Sequence, residues 1–224
     1  LQKIVTALTM QSHRAITYSG SYVVVVVDDP DYVNMVASPG GFLLVTLKYL
    51  DVLENEDQLA FWLAHELSHV ELEHGYSMAV NKITIEIFSG IHGSGSSVVD
   101  SVNKLYDDAA KNEYNAENET EADLRALEIV TKAGYDPSQA LRSIKKIGDL
   151  FGDIEGYKDA KERLSLARKH VKEKSLSRRG SKEAFEFRTK RFQKNLGRNI
   201  QTASSSTDSG SKKKKSKSSI GDDK

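Results

Sequence analysis

The stretch that decides the fold is Leu59-Ala60-Phe61-Trp62-Leu63-Ala64-His65-Glu66-Leu67-Ser68-His69-Val70, a largely apolar run that carries two histidines and a glutamate. Its apolar residues recur at helical spacing and are dense enough to predict a buried helix. Asn55, Glu56 and Asp57 precede the run and are residue types that begin helices. Polar side chains inside a buried helix need a partner, because burying an unpaired polar group costs several kcal/mol.

The polar residues of this helix form the pattern H-E-x-x-H at residues 65–69. Histidines four residues apart lie about 40° apart around a helix, so both imidazoles face one point, as zinc coordination requires. The pattern predicts one zinc ion per chain, held by His65 and His69. Glu66 is then expected to act as the general base of a peptide hydrolase, taking a proton from metal-activated water and passing it to the leaving amine. The structural alternative is a surface helix that carries the pattern by chance.

Zinc needs a third protein ligand, and the chain has no cysteine to supply it. His74 is excluded, because it follows His65 by nine residues and would face about 180° away on a continuous helix. The acidic segment 117–123 is the better source. Its Glu119 and Asp123 are one helical turn apart, so one can bind metal while the other accepts the N–H of a liganding imidazole. The alternative is an acidic, solvated helix start. Spacing alone does not choose among Glu117, Glu119 and Glu121.

The remaining pattern predicts an α+β protein. Two β-branched or apolar runs, Tyr22–Val27 and Phe42–Leu47, are typical of strands that pair in a small sheet. Helical spacing covers most of the rest of the chain. Helices are predicted at about residues 1–10, 55–75, 78–88, 102–110, 119–132, 138–150, 158–174 and 181–196. Gly134 is the expected C-terminal cap of one helix, and Asp136-Pro137 the start of the next.

The charge distribution divides the chain. Residues 1–150 contain 11 Lys and Arg against 22 Asp and Glu, whereas residues 151–224 contain 21 against 10. We therefore expect a catalytic domain over 1–175, a basic and helical extension over 176–200, and a disordered Ser/Lys-rich tail over 201–224. No run of about 18 apolar residues predicts a transmembrane span.

Three sequence blocks resemble the HtpX and CAAX-prenyl-protease type of zinc metallopeptidases. The first is Val33-Asn34-Met35-Val36-Ala37-Ser38-Pro39-Gly40-Gly41, and the second is the helix at 59–70 followed by His74-Gly75. The third is Glu119-Thr120-Glu121-Ala122-Asp123, with Ala133-Gly134-Tyr135-Asp136-Pro137 downstream. The three blocks in this order are far more specific than the zinc pattern alone, and the similarity spans about residues 1–170.

The resemblance implies a gluzincin-like fold, with Glu119 as third zinc ligand and Asp123 beside a liganding imidazole. It also implies cleavage of extended or misfolded protein substrates, as in protein quality control. We predict that such a substrate pairs by β-augmentation with the strand formed by Gly41, Phe42, Leu43, Leu44 and Val45. The chain departs from the family where Tyr157 takes the place of a histidine near the metal. Tyr157 is a candidate transition-state contact, and its alternative role is ordinary packing.

Two other functions are consistent with the sequence. A zinc-binding, chaperone-like protein would keep the metal and cleave little. A binding protein would use the basic run Lys212–Lys217 to contact nucleic acid, anionic lipid or an envelope polymer. No signal peptide is visible. The resemblance to soluble periplasmic relatives favours an exported protein over a cytoplasmic one.

Overall fold

A computed structural model of the chain describes residues 1–12, 22–28, 33–38, 41–74, 114–152 and 159–196. These residues form seven helices and one three-stranded sheet. The strands are β1 (Val23–Val27), β2 (Met35–Ser38) and β3 (Phe42–Thr46). The helices are α1 (Gln2–Thr9), α2 (Leu47–Val52), α3 (Glu56–Glu71), α4 (Ala116–Lys132), α5 (Pro137–Phe151), α6 (Ala160–Glu173) and α7 (Lys182–Asn195). The predicted α+β class, with a small N-terminal sheet and a mostly helical remainder, is confirmed.

The sheet has the order β1-β3-β2. β3 runs parallel to β1, with Val25 opposite Leu44, and antiparallel to β2, with Ala37 opposite Leu43. The two predicted strands therefore pair as expected. β2 was not predicted, because four residues are too few to show a clear alternation of apolar and polar side chains.

The sheet order contradicts the predicted substrate strand. β3, which follows Gly41, has a hydrogen-bonded neighbour on each side. Its backbone groups are therefore already paired, so a substrate cannot add to it by β-augmentation. The prediction for Gly41, Phe42, Leu43, Leu44 and Val45 is wrong, because the sequence did not reveal that β2 and β1 flank this strand.

Helix α3 lies at the centre of the fold. All of its residues from Glu56 to Val70 are buried, and it packs against α4, α5, α1, α7 and β2. The helix begins where Asn55 accepts a hydrogen bond from the backbone N–H of Gln58 at 3.0 Å. A helix buried on every side can hold polar residues only if the surrounding elements provide partners for them.

The two helices that follow are set by their end signals. α4 begins after Asn115, whose side chain accepts from the Asn118 N–H at 2.8 Å, three residues before the predicted start. Gly134 ends this helix region with a φ of 89°, a left-handed conformation that favours glycine. Asp136 then caps α5 and Pro137 occupies its first turn, as predicted.

α5 and α6 cross at a small-residue contact. A side chain on Gly148 would place its Cβ only 2.4 Å from the Cβ of Ala160, so glycine permits the close approach of the two helices. The contact fixes α6 against the core, where Leu164 and Ala167 are buried. Arg163 lies on the same buried face and is only 2% exposed.

α7 matches the helix predicted at residues 181–196. It packs against α3, and its Phe192 joins the main hydrophobic core. None of the helices in the described ranges has the length and apolar character needed to cross a membrane. The helices predicted at 78–88 and 102–110 and the tail 201–224 lie outside the described residues.

Candidate metal centre

The side chains of three residues from two helices converge beside the C-terminal half of α3. The Nε2 atoms of His65 and His69 are 3.0 Å apart. The carboxylate of Glu119, from the first turn of α4, lies 3.4 Å from each of these nitrogens, through Oε2 and Oε1 respectively. Both histidines are buried, and the Glu119 side chain is 14% exposed. The three residues form a group that could hold a metal ion.

The spacing of these atoms fits zinc. Two ligands about 2.0–2.1 Å from a tetrahedral ion lie about 3.3 Å from each other, and the observed separations are 3.0–3.4 Å. Two imidazoles and one carboxylate are a ligand set found in catalytic zinc sites, which leave one coordination position for water or substrate. The donor set and its dimensions therefore suit a catalytic zinc ion.

The electrostatics of the cluster favour a cation at this point. Burial alone would lower the pKa of His65, but the carboxylates of Glu119 and Asp123 outweigh it and raise the pKa to about 10. Burial, together with the nearby charge of His65, lowers the pKa of His69 to about 4. Burial acts to raise the pKa of Glu119, but the two histidines and Arg163 hold it well below its usual range. The carboxylates around the two imidazoles therefore favour a positive charge at this point.

Glu66 lies beside this cluster and points toward the sheet. Its Oε2 accepts a hydrogen bond from the backbone N–H of Ala37 in β2 at 3.2 Å. Burial raises the pKa of the Glu66 carboxyl to about 8. The residue is one position after His65 on α3, as the H-E-x-x-H pattern requires.

A second set of ion pairs surrounds the ligands. Asp123, which is fully buried, lies 3.0 Å from Nδ1 of His65 and so can accept that N–H. Arg163 of α6 donates to both oxygens of Asp123 at 2.8 and 3.0 Å. It also lies 2.8 Å from Oε2 of Glu119. Arg163 therefore ties both carboxylates to one guanidinium, which sets the orientation of Glu119 and of His65.

The comparisons with known proteins agree with this geometry. Residues 1–177 match peptidase family M48, which covers most of the chain. The chain belongs to this family. It is also 27% identical, over 162 residues, to the mitochondrial metalloendopeptidase OMA1 of Arabidopsis thaliana. That alignment includes 70% of this chain and 33% of OMA1, so the chain spans about a third of its relative's length.

Membership of M48 confirms the resemblance to zinc metallopeptidases drawn from the three sequence blocks. Of the three glutamates that spacing left open, only Glu119 reaches both imidazoles among the described contacts. Glu121 instead contacts His74, and Glu117 is exposed in the first turn of α4. α4 is helical from Ala116, so residues 117 and 121, one turn apart, share a face, and Glu119 points to the opposite side of the helix.

Sequence reasoning missed three residues of the M48 site. Arg163 follows Ala160 by three residues and precedes Leu164 and Ala167 on the same face of α6. An arginine in the middle of such an apolar stripe is a detectable signal, because a buried charge needs a partner. Tyr114 stacks on the His69 ring, with centroids 3.9 Å apart and planes 12° apart. No signal in the sequence indicates this contact.

His74 is the third missed residue, and its exclusion rested on a continuous helix. α3 ends at Glu71, and Glu73 adopts a left-handed φ of 62°. The chain turns back there, which places His74 beside His69 rather than on the opposite face. His74 does not belong to the group of three ligand atoms. Tyr157 and the basic run Lys212–Lys217 lie outside the described residues, so their proposed roles remain predictions.

Proposed function

We propose that this chain is a zinc endopeptidase in which His65, His69 and Glu119 hold the metal and Glu66 is the general base. The observation that carries the proposal is the convergence of two imidazole nitrogens and one carboxylate within 3.0–3.4 Å of each other. The name of the OMA1 relative, a metalloendopeptidase, supports cleavage inside protein chains rather than at their ends.

The chain's own residues supply the proton transfers. A zinc ion in this site would act as a Lewis acid that acidifies water and polarises the carbonyl of a peptide bond. The Glu66 carboxylate takes a proton from water and returns it to the nitrogen of the leaving amine. Asp123 and Arg163 keep the ligands oriented during the reaction.

We place the substrate along the outer edge of β2. In the described sheet, β2 pairs only with β3, and the Ala37 N–H points away from β3 toward Glu66. In an extended strand, backbone groups of residues two apart face the same edge, so Met35 and Ala37 present theirs to the same side, where their N–H groups donate to side-chain oxygens of Asn34 and Glu66 that a substrate carbonyl would replace. A peptide bound in extended form along this edge would therefore pass beside Glu66.

The central experiment compares wild type with three glutamate variants, using zinc content and degradation of unfolded casein as readouts. Glu66→Gln should keep stoichiometric zinc and lose at least about a hundredfold in kcat, because general base catalysis contributes about 10²–10⁴-fold. Glu119→Gln should lose zinc as well as activity. Glu117→Gln is the matched control on the exposed side of α4 and should match wild type. Casein degradation that survives in Glu66→Gln would overturn the mechanism.

The substrate edge is tested with a peptide that the wild type cleaves. N-methylation at single positions around the cleaved bond removes one backbone donor at a time. Pairing with β2 predicts losses of tenfold or more in kcat/KM at alternate positions and small effects at the positions between. Equal losses at every position would argue against an extended substrate.

A further inference from the structure

The C-terminal end of α3 is shaped so that His74 returns to the metal cluster. The backbone N–H of His74 donates to the carbonyl of His69 at 3.0 Å, and that of Glu73 donates to Val70 at 3.3 Å. This pattern closes the helix through a left-handed residue, a position usually taken by glycine. Here the residue is Glu73, with a φ of 62°. The turn brings the His74 ring to 5.1 Å from the His69 ring, measured between centroids.

The contacts of His74 form a short chain of hydrogen bonds. Its Nδ1 lies 3.0 Å from Nδ1 of His69, and its Nε2 lies 3.0 Å from a carboxylate oxygen of Glu121. The His74 side chain is only 6% exposed, whereas that of Glu121 is 56% exposed. These hydrogen bonds therefore connect the buried cluster to the surface of α4.

The proton positions along this series of hydrogen bonds follow from the direction in which the His69 ring faces. Its Nε2 points to His65 and Glu119, so a neutral His69 that offers a lone pair there carries its proton on Nδ1. That N–H donates to Nδ1 of His74. The proton of His74 then lies on Nε2, from which it donates to Glu121. With His69 and His74 both neutral, this arrangement of donors and acceptors satisfies every bond.

His65 also has a hydrogen-bond partner for its Nδ1, on the other side of the cluster. Its Nδ1 lies 3.0 Å from the buried carboxylate of Asp123. Each imidazole thus has an acceptor for the nitrogen that faces away from the cluster. The acceptor of His65 is a carboxylate, and that of His69 is a second imidazole backed by a carboxylate. Tyr114, stacked on the face of His69, restricts the tilt of this ring.

We propose that His74 and Glu121 are positioning residues for His69, fixing its tautomer and ring orientation so that Nε2 offers its lone pair to the metal. The proposal rests on the proposed function only in taking His69 as a zinc ligand. Partners of this kind typically change metal affinity by about 10–100-fold when removed. Glu121 is exposed to competing water, so its contribution should be the smaller of the two.

The test measures the zinc dissociation constant of the full chain by competition with a chromophoric chelator. His74→Phe keeps the ring volume and removes both polar contacts, and it should weaken zinc binding by about 10–100-fold. His74→Gln is the matched variant. The acceptor oxygen and donor nitrogen of its amide are bonded to one carbon, just as Nδ1 and Nε2 of imidazole are both bonded to Cε1. We expect its affinity to stay within about threefold of wild type. Equal affinities for wild type and His74→Phe would overturn the proposal.

Further measurements show whether His74 acts on metal binding or on folding. They also separate a failure of this proposal from a failure of the proposed function. Circular dichroism and thermal unfolding of the zinc-free proteins should show His74→Phe as folded as wild type. If it is not, Glu121→Leu on the surface of α4 is the deciding variant: several-fold weaker zinc binding upholds the proposal and unchanged affinity refutes it. Ring nitrogen NMR of the zinc-loaded wild type should show His69 protonated on Nδ1. If the wild type binds no zinc at all, the proposed function itself is refuted.

Discussion

Helix α7 provides the prediction that the structure supports most directly. The helix lies beyond residue 177, where the M48 match ends, yet it neutralises buried acids at the start of α3. Arg188 donates to both carboxylate oxygens of Asp57 at 2.6 and 2.8 Å. Arg191 pairs in the same way with Glu56. We therefore expect Arg188→Met to destabilise the whole catalytic fold, although it lies outside the family's matched region.

The size of the expected destabilisation follows from the burial of the Arg188 and Asp57 side chains. The side chain of Asp57 is 0% exposed and that of Arg188 is 14% exposed, so removing the arginine leaves a buried carboxylate without its counter-charge. Breaking such a pair costs about 3–5 kcal/mol. Asp57 keeps one hydrogen bond, from the Asp136 N–H at 2.8 Å. This remaining bond favours the lower end of the range of energies. We expect a loss of about 3 kcal/mol, or about 6–12 °C in Tm for a domain of this size.

The assay is equilibrium unfolding in urea, followed by circular dichroism. The control is Lys182→Met on the same helix, because the Lys182–Glu186 pair is exposed, at 75% and 51%, and such pairs contribute only about 0–1 kcal/mol. A double-mutant cycle with Asp57→Asn should return a coupling energy above about 1 kcal/mol between the two residues. If Arg188→Met is no more destabilising than Lys182→Met, α7 does not dock on α3 and the reasoning fails.

Three further predictions concern the site and its surroundings. Arg163→Met should cost at least about 3 kcal/mol in urea unfolding, because it leaves the buried Asp123 and Glu119 without their shared cation; unchanged stability would contradict this. It should also weaken zinc binding in a chelator competition. Glu73→Gly should raise stability by up to about 1 kcal/mol, since glycine adopts the left-handed φ at position 73 without strain, whereas Glu73→Val should lower it. Removal of zinc by a chelator should lower the thermal midpoint, because an ion at about a thousand times its dissociation constant adds about 4 kcal/mol; a midpoint independent of zinc would mean that the folded state does not bind it.

Local patterns predicted the elements that form the site. The positions of His65, Glu66 and His69 on one helix follow from their spacing, and that helix is present. The ends of α4 and α5 follow from Gly134 and Asp136, because capping involves only neighbouring residues. Such features depend on a few adjacent positions, so the sequence contains all the information that they need.

The sequence by itself therefore determined the family, the α+β class and the residues that could bind zinc. Only the tertiary structure decided which of three nearby glutamates faces the imidazoles, that β3 lies between two other strands, and that His74 turns back to His69. It also decided that Arg188 pairs with an aspartate 131 positions away. Periodicity fixes the direction of a side chain relative to its own helix or strand, but which partner it meets depends on how distant elements pack together.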